Sequence, residues 1–302
     1  MLSVILTAAG AAVLALLWKM LYDSTHFETT EYRIEDARIR KPFRAVVLAD
    51  LHNKQYGRGN ALLLEKIREG KPDMVFVAGD LLTAKPGVDP KPALSLIREL
   101  AKDYPVYYGN GNHEHRIKLY PKVYGDLAQT YEKELGECGV TPLVNGRRTL
   151  EEYGVCVVGA ELPKEYYRRF RVSPMGENDL RDLLGEPDLH CYTILLAHNP
   201  DYFPEYVRWG ADLTLSGHIH GGVARIPILN RGLVSPAVRL FPEYDGGLYT
   251  SGEHVMILSR GLGSHTIPFR LFNPGDLIFL GFSGGEKKVV EKSQPKAARE
   301  KR

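Results

Sequence analysis

The chain has 302 residues, a formal net charge of +2, 25% charged residues and 44% residues of the hydrophobic set. This composition is typical of a soluble globular domain, and it excludes a disordered chain, a collagen-like chain and a multi-span membrane protein. Because basic and acidic residues nearly balance, the composition does not indicate nucleic acid as the main partner.

The first residues differ in composition from the rest of the chain. Residues 2–18 carry no charge, and the apolar run is long enough to span a bilayer when it is extended to Tyr22. No basic residue precedes the run and no A-x-A cleavage site follows it, which favours an anchor over the alternative, a cleaved signal peptide. We therefore predict a transmembrane anchor over 1–22 and a linker over 23–42. The positive charges that follow the run, beginning with Lys19, favour a cytoplasmic catalytic domain, with an extracytoplasmic one as the alternative.

Residues 43–282 alternate between short apolar runs, which are typical of buried strands, and amphipathic segments, which are typical of helices. This alternation predicts a single α/β domain. The expected strands are 44–49, 73–78, 106–110, 155–160, 192–197, 212–216 and 254–258. Residues 283–302 are rich in Lys and Arg and poor in apolar residues, so we expect a disordered basic tail there.

Dense polar clusters follow five of the predicted strands, as DLH, GD, GNHE, HN and GHIHGG. Because ligands of α/β sheets bind outside the carboxyl ends of the strands, we expect these clusters to converge on one edge. Five of the ten histidines of the chain lie in them. Carboxylate, imidazole and amide oxygen together suit Mn, Fe or Zn, so the pattern predicts a metal site.

The motifs DLH, GDL, GNHE, AHN and GHIHGG, in this order over about 44–280, resemble those of the calcineurin-like metallophosphoesterases. The segment 259–270, SRGLGSHTIPFR, and the anchor-like start further resemble the bacterial membrane-associated YkuE/YaeI-like branch, whose members include enzymes acting on lipid precursors. The resemblance implies a four-layer α/β/β/α sandwich, preceded here by one membrane helix.

The resemblance also implies a dinuclear site with two divalent metal ions, Mn, Fe or Zn. Carried onto this sequence, one ion is held by Asp50, His52 and His220 and the other by Asn112, His198 and His218. Asp80 would bridge the two ions, and His113 would lie beside the substrate phosphate as general acid or electrostatic stabiliser. The implied reaction is hydrolysis of a phosphodiester, diphosphate or phosphomonoester by a hydroxide that bridges the metals.

Substrate contacts follow less directly from the sequence. After GDLL the family often carries another acidic residue, where this chain has Thr83, and the family's GHTHGGQ reads GHIHGGV here. The candidates for substrate contact are Glu114, Arg225, Arg260 and His265. Segments 165–170 and 239–244 mix aromatic residues with Arg and, if exposed, would suit a membrane interface or lipid head groups.

The motifs are also compatible with two other functions. One is a metal-binding scaffold without turnover, which the complete ligand set and His113 disfavour. The other is a mononuclear zinc hydrolase of another bond type, in which Asp80 would have no bridging role. The partners we expect are a phosphate-ester substrate, with a membrane lipid or a lipid-linked precursor among the candidates, and the membrane through the N-terminal helix. The sequence does not indicate an oligomeric state.

Overall fold

The computed structural model describes residues 1–229, 231–236, 238–264, 268–291 and 299–300. The strands are β1 Phe27–Glu35, β2 Phe43–Leu48, β3 Met74–Ala78, β4 Val106–Gly109, β5 Thr141–Pro142, β6 Gly146–Leu150, β7 Val155–Ala160, β8 Tyr192–Ala197, β9 Leu213–Ser216, β10 Arg225–Ile226, β11 Arg231–Gly232, β12 Gly247–Ser251, β13 His254–Leu258, β14 Gly275–Ser283, β15 Lys288–Glu291 and β16 Arg299–Glu300. The helices are α1 Leu2–Thr25, α2 Ala61–Glu69, α3 Lys91–Asp103, α4 Asn112–Leu119, α5 Pro121–Tyr124, α6 Leu127–Glu137, α7 Asp179–Leu184 and α8 Phe203–Trp209. Short 3-10 turns occupy Arg58–Asn60, Lys164–Tyr167, Pro200–Tyr202 and His220–Gly222.

The first sheet has the strand order β15-β1-β14-β2-β3-β4-β5. Strands β2 to β5 are parallel to one another, β14 is antiparallel to β2, and β1 is parallel to β14. Strand β3, MVFVA, is buried along its whole length, as expected for a parallel strand covered on both faces.

The second sheet has the order β16-β12-β13-β9-β8-β7-β6, and β10 and β11 form a separate small hairpin. Strands β7, β8, β9 and β13 are parallel to one another, β6 is antiparallel to β7, and β12 is antiparallel to β13 and parallel to β16. Like β3, strand β8 reads as one apolar run, YTILLA, and is fully buried.

The two sheets pack face to face, and helices cover their outer faces. The core between the sheets includes Val47, Phe76, Ile194, Leu215 and Ile257. The other face of the first sheet packs against α2, α3 and α6, and the other face of the second sheet packs against α7 and α8. The predicted four-layer α/β/β/α sandwich is therefore confirmed. The pattern of buried residues also explains it, because each sheet is apolar on both faces.

Two predicted boundaries are wrong in detail. Residues 23–42, expected to be a linker, contain β1, which lies inside the first sheet between β14 and β15. The expected disordered tail, 283–302, begins with the end of β14 and contains β15, which pairs with β1. Both segments are rich in polar residues, and the strands with which they pair are distant in sequence, so local composition alone gave the wrong assignment. Residues 292–298 and 301–302 of that tail lie outside the described residues.

Helix α1 is 24 residues long and is apolar enough to cross a membrane. At about 1.5 Å per residue it reaches about 36 Å, which exceeds the roughly 30 Å hydrocarbon core of a bilayer. None of its apolar stretch is buried against the domain, since large side chains such as Leu6, Leu14 and Trp18 are exposed.

Candidate metal centre

The carboxyl ends of β2, β3, β4, β8 and β9 lie at one edge of the sandwich, which we call the metal-site edge. The loops that follow these strands are joined to one another by hydrogen bonds. The backbone N–H of His52 donates to the carbonyl of Asp80 at 3.1 Å, which joins the β2 and β3 loops. The N–H of His218 donates to both carboxylate oxygens of Asp50, at 3.1 and 2.9 Å, and so joins the second sheet to the first.

The structure brings six of the seven predicted ligands together, along with His113. Three groups have donor atoms that all lie within 4.8 Å of one another: Asp50, His52 and His220; His52, Asp80 and His113; and Asp80, His198 and His218. The first and third groups match the two predicted metal positions, and the groups meet at Asp80 and His52. Their side chains are buried or nearly so, which removes competing water.

Asp80 lies between the two predicted metal positions. Its Oδ1 accepts a hydrogen bond of 2.7 Å from the backbone N–H of His113. Its Oδ2 faces three imidazoles, 3.0 Å from Nε2 of His198, 3.9 Å from Nε2 of His113 and 4.0 Å from Nε2 of His52. One carboxylate oxygen therefore points to donors from both sheets, which is the placement that a bridging ligand requires.

The electrostatics of the cluster favour cations. Burial opposes ionisation of Asp50, but the imidazoles of His220 and His198 hold its pKa below the usual range. Burial lowers the pKa of His218 and of His220 to about 3, so both rings are neutral and have a lone pair for a metal. Burial also acts to lower the pKa of His198, but the carboxylates of Asp80 and Asp50 outweigh it and raise this pKa to about 10. The same carboxylates would attract a cation, which would take the place of the proton on His198 when it binds.

Five of the clustered residues adopt left-handed backbone conformations. These are Asp50 (φ 49°), His52 (φ 50°), Asp80 (φ 56°), His218 (φ 73°) and His220 (φ 53°). Non-glycine residues rarely adopt positive φ, and each such residue costs of order 1 kcal/mol or more, so the surrounding structure must hold it there. The strained backbone directs side chains from the ends of β2, β3 and β9 to one point, as a functional site requires.

Glycines make room for the two aspartates. A Cβ on Gly111 would lie 2.2 Å from Oδ1 of Asp80, and a Cβ on Gly217 would lie 2.4 Å from Oδ2 of Asp50. Gly79 has φ 92°, and a Cβ there would lie 2.6 Å from the backbone of Gly111. The GD, GN and GH motifs therefore require glycine, because the backbone at these positions lies too close to a carboxylate or to another loop for a Cβ atom to fit.

The residues present fit a pair of divalent cations. The donor set combines carboxylate and imidazole groups and includes no thiolate, which suits Mn, Fe or Zn. Asn112, the predicted ligand with an amide oxygen, begins α4, and its Oδ1 is buried without a hydrogen-bond partner in the structure. Buried amide oxygens are seldom left unsatisfied, so this atom needs an additional partner, and a cation would serve.

His113 is fixed by a hydrogen bond from the β3 loop. The backbone N–H of Ala84 donates to Nδ1 of His113 at 2.7 Å. Nδ1 must therefore carry a lone pair, which leaves the ring proton on Nε2, the nitrogen that faces Asp80. The ring is thus presented to the cluster as a neutral N–H donor.

Glu114, one of the expected substrate contacts, is engaged within the fold. It is buried, and its carboxylate accepts from the backbone N–H groups of Asp80 at 2.9 Å, Leu81 at 3.0 Å and Gly111 at 3.0 Å. The hydroxyl of Tyr108 donates to it as well, at 2.8 Å. Burial and the charge on Asp80 raise the pKa of Glu114 to about 7. Through these backbone hydrogen bonds, Glu114 fixes the positions of the two loops that carry Asp80 and Asn112.

Arg225 and Arg260, the other expected substrate contacts, are engaged within the fold. Arg225 is buried and donates to the carbonyls of Gly221 and Asp245, at 3.1 and 2.7 Å. Arg260 lies 3.4 Å from Oδ1 of Asp276. Both guanidinium groups therefore have carbonyl or carboxylate partners within the fold. The fourth candidate, His265, lies outside the described residues.

A polar cluster beside the metal centre was missed from the sequence. Glu161 follows β7 and contacts Asn110, His115 and Lys118 at 2.6, 3.0 and 3.1 Å. Although burial opposes it, hydrogen bonds with His115 and Asn110 lower the pKa of Glu161 to about 2. Glu161 and Asn110 each follow a strand directly, so the strand-end reasoning that found the ligands would have found them too.

The comparisons with known proteins agree with this geometry. The family model for the calcineurin-like phosphoesterases matches residues 43–222, more than half of the chain. The chain is 27% identical to the metallophosphoesterase YkuE of Bacillus subtilis over 249 residues, which are 80% of this chain and 81% of that protein. It is 26% identical to the phosphodiesterase YaeI of Escherichia coli over 233 residues, 74% of this chain and 76% of that protein.

A third relative, the metallophosphoesterase Cj0846 of Campylobacter jejuni, is 27% identical over 262 residues, which are 85% of this chain but only 63% of that protein. The extent of the family match shows that the chain belongs to the calcineurin-like phosphoesterase family. It is a metal-dependent phosphoric ester hydrolase, as the sequence motifs predicted.

Proposed function

We propose that this calcineurin-like phosphoesterase uses two divalent cations to hydrolyse a phosphodiester or diphosphate bond in a membrane lipid or lipid-linked precursor. The observation that carries the proposal is the convergence of two ligand groups on Asp80, with the Nε2–H of His113 beside them. No comparable observation favours a scaffold without turnover or a mononuclear hydrolase.

The two cation positions share Asp80. Asp50, His52 and His220 would hold one cation, and Asn112, His198 and His218 would hold the other. When bound, such a pair supplies charge neutralisation to the phosphate oxygens and lowers the pKa of a coordinated water. The chain contributes a dry, preorganised cradle, in which the strained loops fix the ligands before substrate arrives.

His113 acts on the phosphate as a hydrogen-bond donor. Its Nδ1 accepts from Ala84, so the imidazole is neutral and offers the Nε2 proton to a phosphate oxygen. A neutral imidazole gives up its remaining proton far less readily than an imidazolium does, so the geometry supports electrostatic stabilisation over proton donation. The departure from the family at Thr83 is adjacent to Ala84, the residue that sets this tautomer.

The position of α1 supports a lipid substrate. The last turn of α1 lies against the metal-site edge, because Nζ of Lys54 donates to the carbonyl of Ser24 at 2.6 Å, and Lys54 is two residues after the predicted ligand His52. If α1 spans the membrane, this contact holds the metal centre close to the head-group layer. We propose a single-pass topology with the domain in the cytoplasm, on the basis of the positive charges after the apolar run.

A substrate comparison tests the proposal. The full chain, purified in detergent and loaded with Mn²⁺, is assayed on bis(p-nitrophenyl) phosphate, on p-nitrophenyl phosphate, and on vesicles that contain phosphatidylglycerol or a nucleotide-linked lipid diphosphate. We expect the diester to be cleaved faster than the monoester and at least one lipid to be hydrolysed. Preference for the monoester, or no turnover of any lipid, would contradict the proposal.

A further inference from the structure

Large apolar side chains are exposed in two segments near the metal centre. The first contains Phe170, and the second contains Ile228, Leu229, Leu240 and Phe241. Ile228 is 95% exposed, Phe170 is 71% exposed and Leu240 is 70% exposed, with Leu229 and Phe241 also more than half exposed. Single exposed apolar residues are ordinary, but several together beside a functional site indicate an interaction surface. We call these five residues the rim surface.

Phe170 belongs to the first of the two segments, which follows the 3-10 turn Lys164–Tyr167. The ring of Tyr167 lies 5.2 Å from the ring of His218, a predicted ligand. The side chain of Asn199, which follows His198, donates to the carbonyl of Tyr166 at 2.7 Å. Phe170 is therefore three residues from a ring that packs directly against the metal centre.

Ile228 and Leu229 lie between β10 and β11, shortly after His220. The base of this hairpin is attached to segment 268–273 by a bridge between Ala224 and Leu271. Leu240 lies in the chain that returns from the hairpin, where it forms a bridge with Val234. The neighbouring Arg239 forms an ion pair with Asp201, just after β8. The second segment is therefore tied to the metal-site edge at both of its ends.

Helix α1 meets the same segment 268–273. The backbone N–H of Arg270 donates to Oγ of Ser24 at 2.9 Å, and the N–H of Asn273 donates to the buried carboxylate of Asp23 at 3.2 Å. The side chain of Asn273 in turn donates to the carbonyl of His220 at 2.7 Å. The end of α1, the base of the hairpin and a predicted metal ligand are therefore parts of one hydrogen-bonded unit.

We propose that the rim surface docks into the lipid bilayer that α1 spans, so that the metal centre opens onto the head-group layer. The biological role of this docking rests on the proposed lipid substrate. Docking itself does not, because a protein can bind a bilayer without hydrolysing a lipid. Arg168, Arg169 and Arg171 flank Phe170 and are exposed, which suits a surface that carries anionic lipid.

Continuity with α1 favours a bilayer over a second copy of the chain as the occupant. A helix that enters the bilayer ends within hydrogen-bond reach of the segment that supports the hairpin. The hairpin is therefore held beside the end of the membrane helix, and we expect its exposed side chains to meet lipid without any further assembly step. The mixture of Arg with Phe, Leu and Ile is also that of interfacial segments, where apolar groups enter the acyl boundary and cations stay at the head groups.

A fluorescent probe tests the docking directly in the full chain. An environment-sensitive NBD group is attached to a cysteine introduced by Leu229→Cys or Leu240→Cys, in a Cys138→Ser background because Cys156 and Cys191 are buried. The protein is reconstituted into vesicles of phosphatidylcholine and phosphatidylglycerol. We expect blue-shifted emission that nitroxide-labelled lipids quench at both positions.

Leu189 provides the matched control. It is 76% exposed and precedes β8, so it lies at the opposite edge of the sheet from the metal centre. A probe at Leu189→Cys should remain in water and escape quenching by lipid. Equal quenching at all three positions, or no lipid quenching at positions 229 and 240, would overturn the proposal. Emission that is blue-shifted at 229 but insensitive to lipid quencher would assign the surface to a second copy and would overturn it as well.

A functional assay separates docking from substrate choice. In the double variant Leu229→Ser/Leu240→Ser, the ratio of the rate on a hydrolysed vesicle lipid to the rate on bis(p-nitrophenyl) phosphate should fall roughly tenfold, because apolar contacts with the bilayer are lost. Leu189→Ser should leave the ratio unchanged. An unchanged ratio in the double variant would contradict docking. If the probes enter the bilayer and no lipid is cleaved, docking stands and the proposed lipid substrate fails.

Discussion

At the scale of single residues, the metal centre depends on backbone strain and on close packing. Asp50 and Asp80 have positive φ and face glycines on which a Cβ would overlap their carboxylates. The sequence motifs identified these two aspartates, but the left-handed backbone conformation of the aspartates was not predictable from the motifs. That conformation is imposed by hydrogen bonds between loops from different strands, such as the bond from the N–H of Asp50 to the carbonyl of Gly79 at 3.0 Å.

The role of His113 can be separated from metal binding. His113→Ala should retain both cations and lower kcat roughly 10²–10³-fold, the usual loss when one stabilising donor is removed. It also leaves the N–H of Ala84 without its acceptor, which should cost about 1–3 kcal/mol of folding free energy. Steady-state kinetics, metal analysis and thermal unfolding check these points, with the exposed His190→Ala as control. Loss of a cation from His113→Ala would make His113 a ligand.

At the scale of elements, Gly111 at the start of α4 allows its loop to approach the carboxylate of Asp80 closely. In Gly111→Ala the new Cβ would lie 2.2 Å from Oδ1 of Asp80, so the carboxylate must move. We expect a large loss of metal affinity and of activity, measured by metal titration and by hydrolysis of bis(p-nitrophenyl) phosphate. Gly136→Ala in α6 is the control, because no heavy atom lies within 4 Å of its Cβ position and Ala favours a helix by about 0.5–1 kcal/mol. Equal behaviour of the two variants would refute the packing argument.

The polar cluster of Glu161 with Asn110, His115 and Lys118 links β4, α4 and β7. It should make the free energy of unfolding depend on pH. The folded pKa of about 2 lies below the unfolded value of about 4.3, so the stabilisation is present above pH 4.3 and is lost as pH falls through 2. Glu161→Gln should therefore lower the free energy of unfolding at pH 6, by about 1–3 kcal/mol. The difference from the unmodified chain should shrink as pH falls from 4 towards 2.

Urea denaturation at several pH values measures this difference. Exposed Glu177→Gln serves as the control and should show little change at any pH. A difference between Glu161→Gln and the unmodified chain that stays constant from pH 6 to pH 3 would mean that the carboxylate charge is not the source of the stabilisation.

Strand β1 could not be predicted from the local sequence alone. The apolar strands β2, β3 and β8 were evident as short hydrophobic runs, whereas FETTEYRIE is polar on alternate positions. Thr30, Tyr32 and Ile34 are nevertheless buried, because β14 pairs with β1 from more than 240 residues away in the chain. No local signal indicates a partner at that distance, so the segment was taken for a linker.

At the scale of the whole molecule, the order of five motifs was enough to predict the sandwich and to choose the residues that meet at its edge. The connection between α1 and that edge was not predictable. Asp23 and Asn273 are unremarkable in sequence, and the link from one to the other and then to His220 exists only once both sheets have formed. The proposed membrane orientation of the metal centre therefore depends on tertiary structure.

Two cations that share Asp80 would give a defined metal stoichiometry, which can be measured for each chain. The full chain is purified in detergent, dialysed against a trace of Mn²⁺ or Zn²⁺, and analysed by mass spectrometry for metal per chain, alongside Asp80→Asn. We predict two cations per chain, and loss of metal together with activity in Asp80→Asn, because a neutral amide cannot offset the charge of two cations. One cation per chain, or two tightly bound cations and near-normal turnover in Asp80→Asn, would contradict the account.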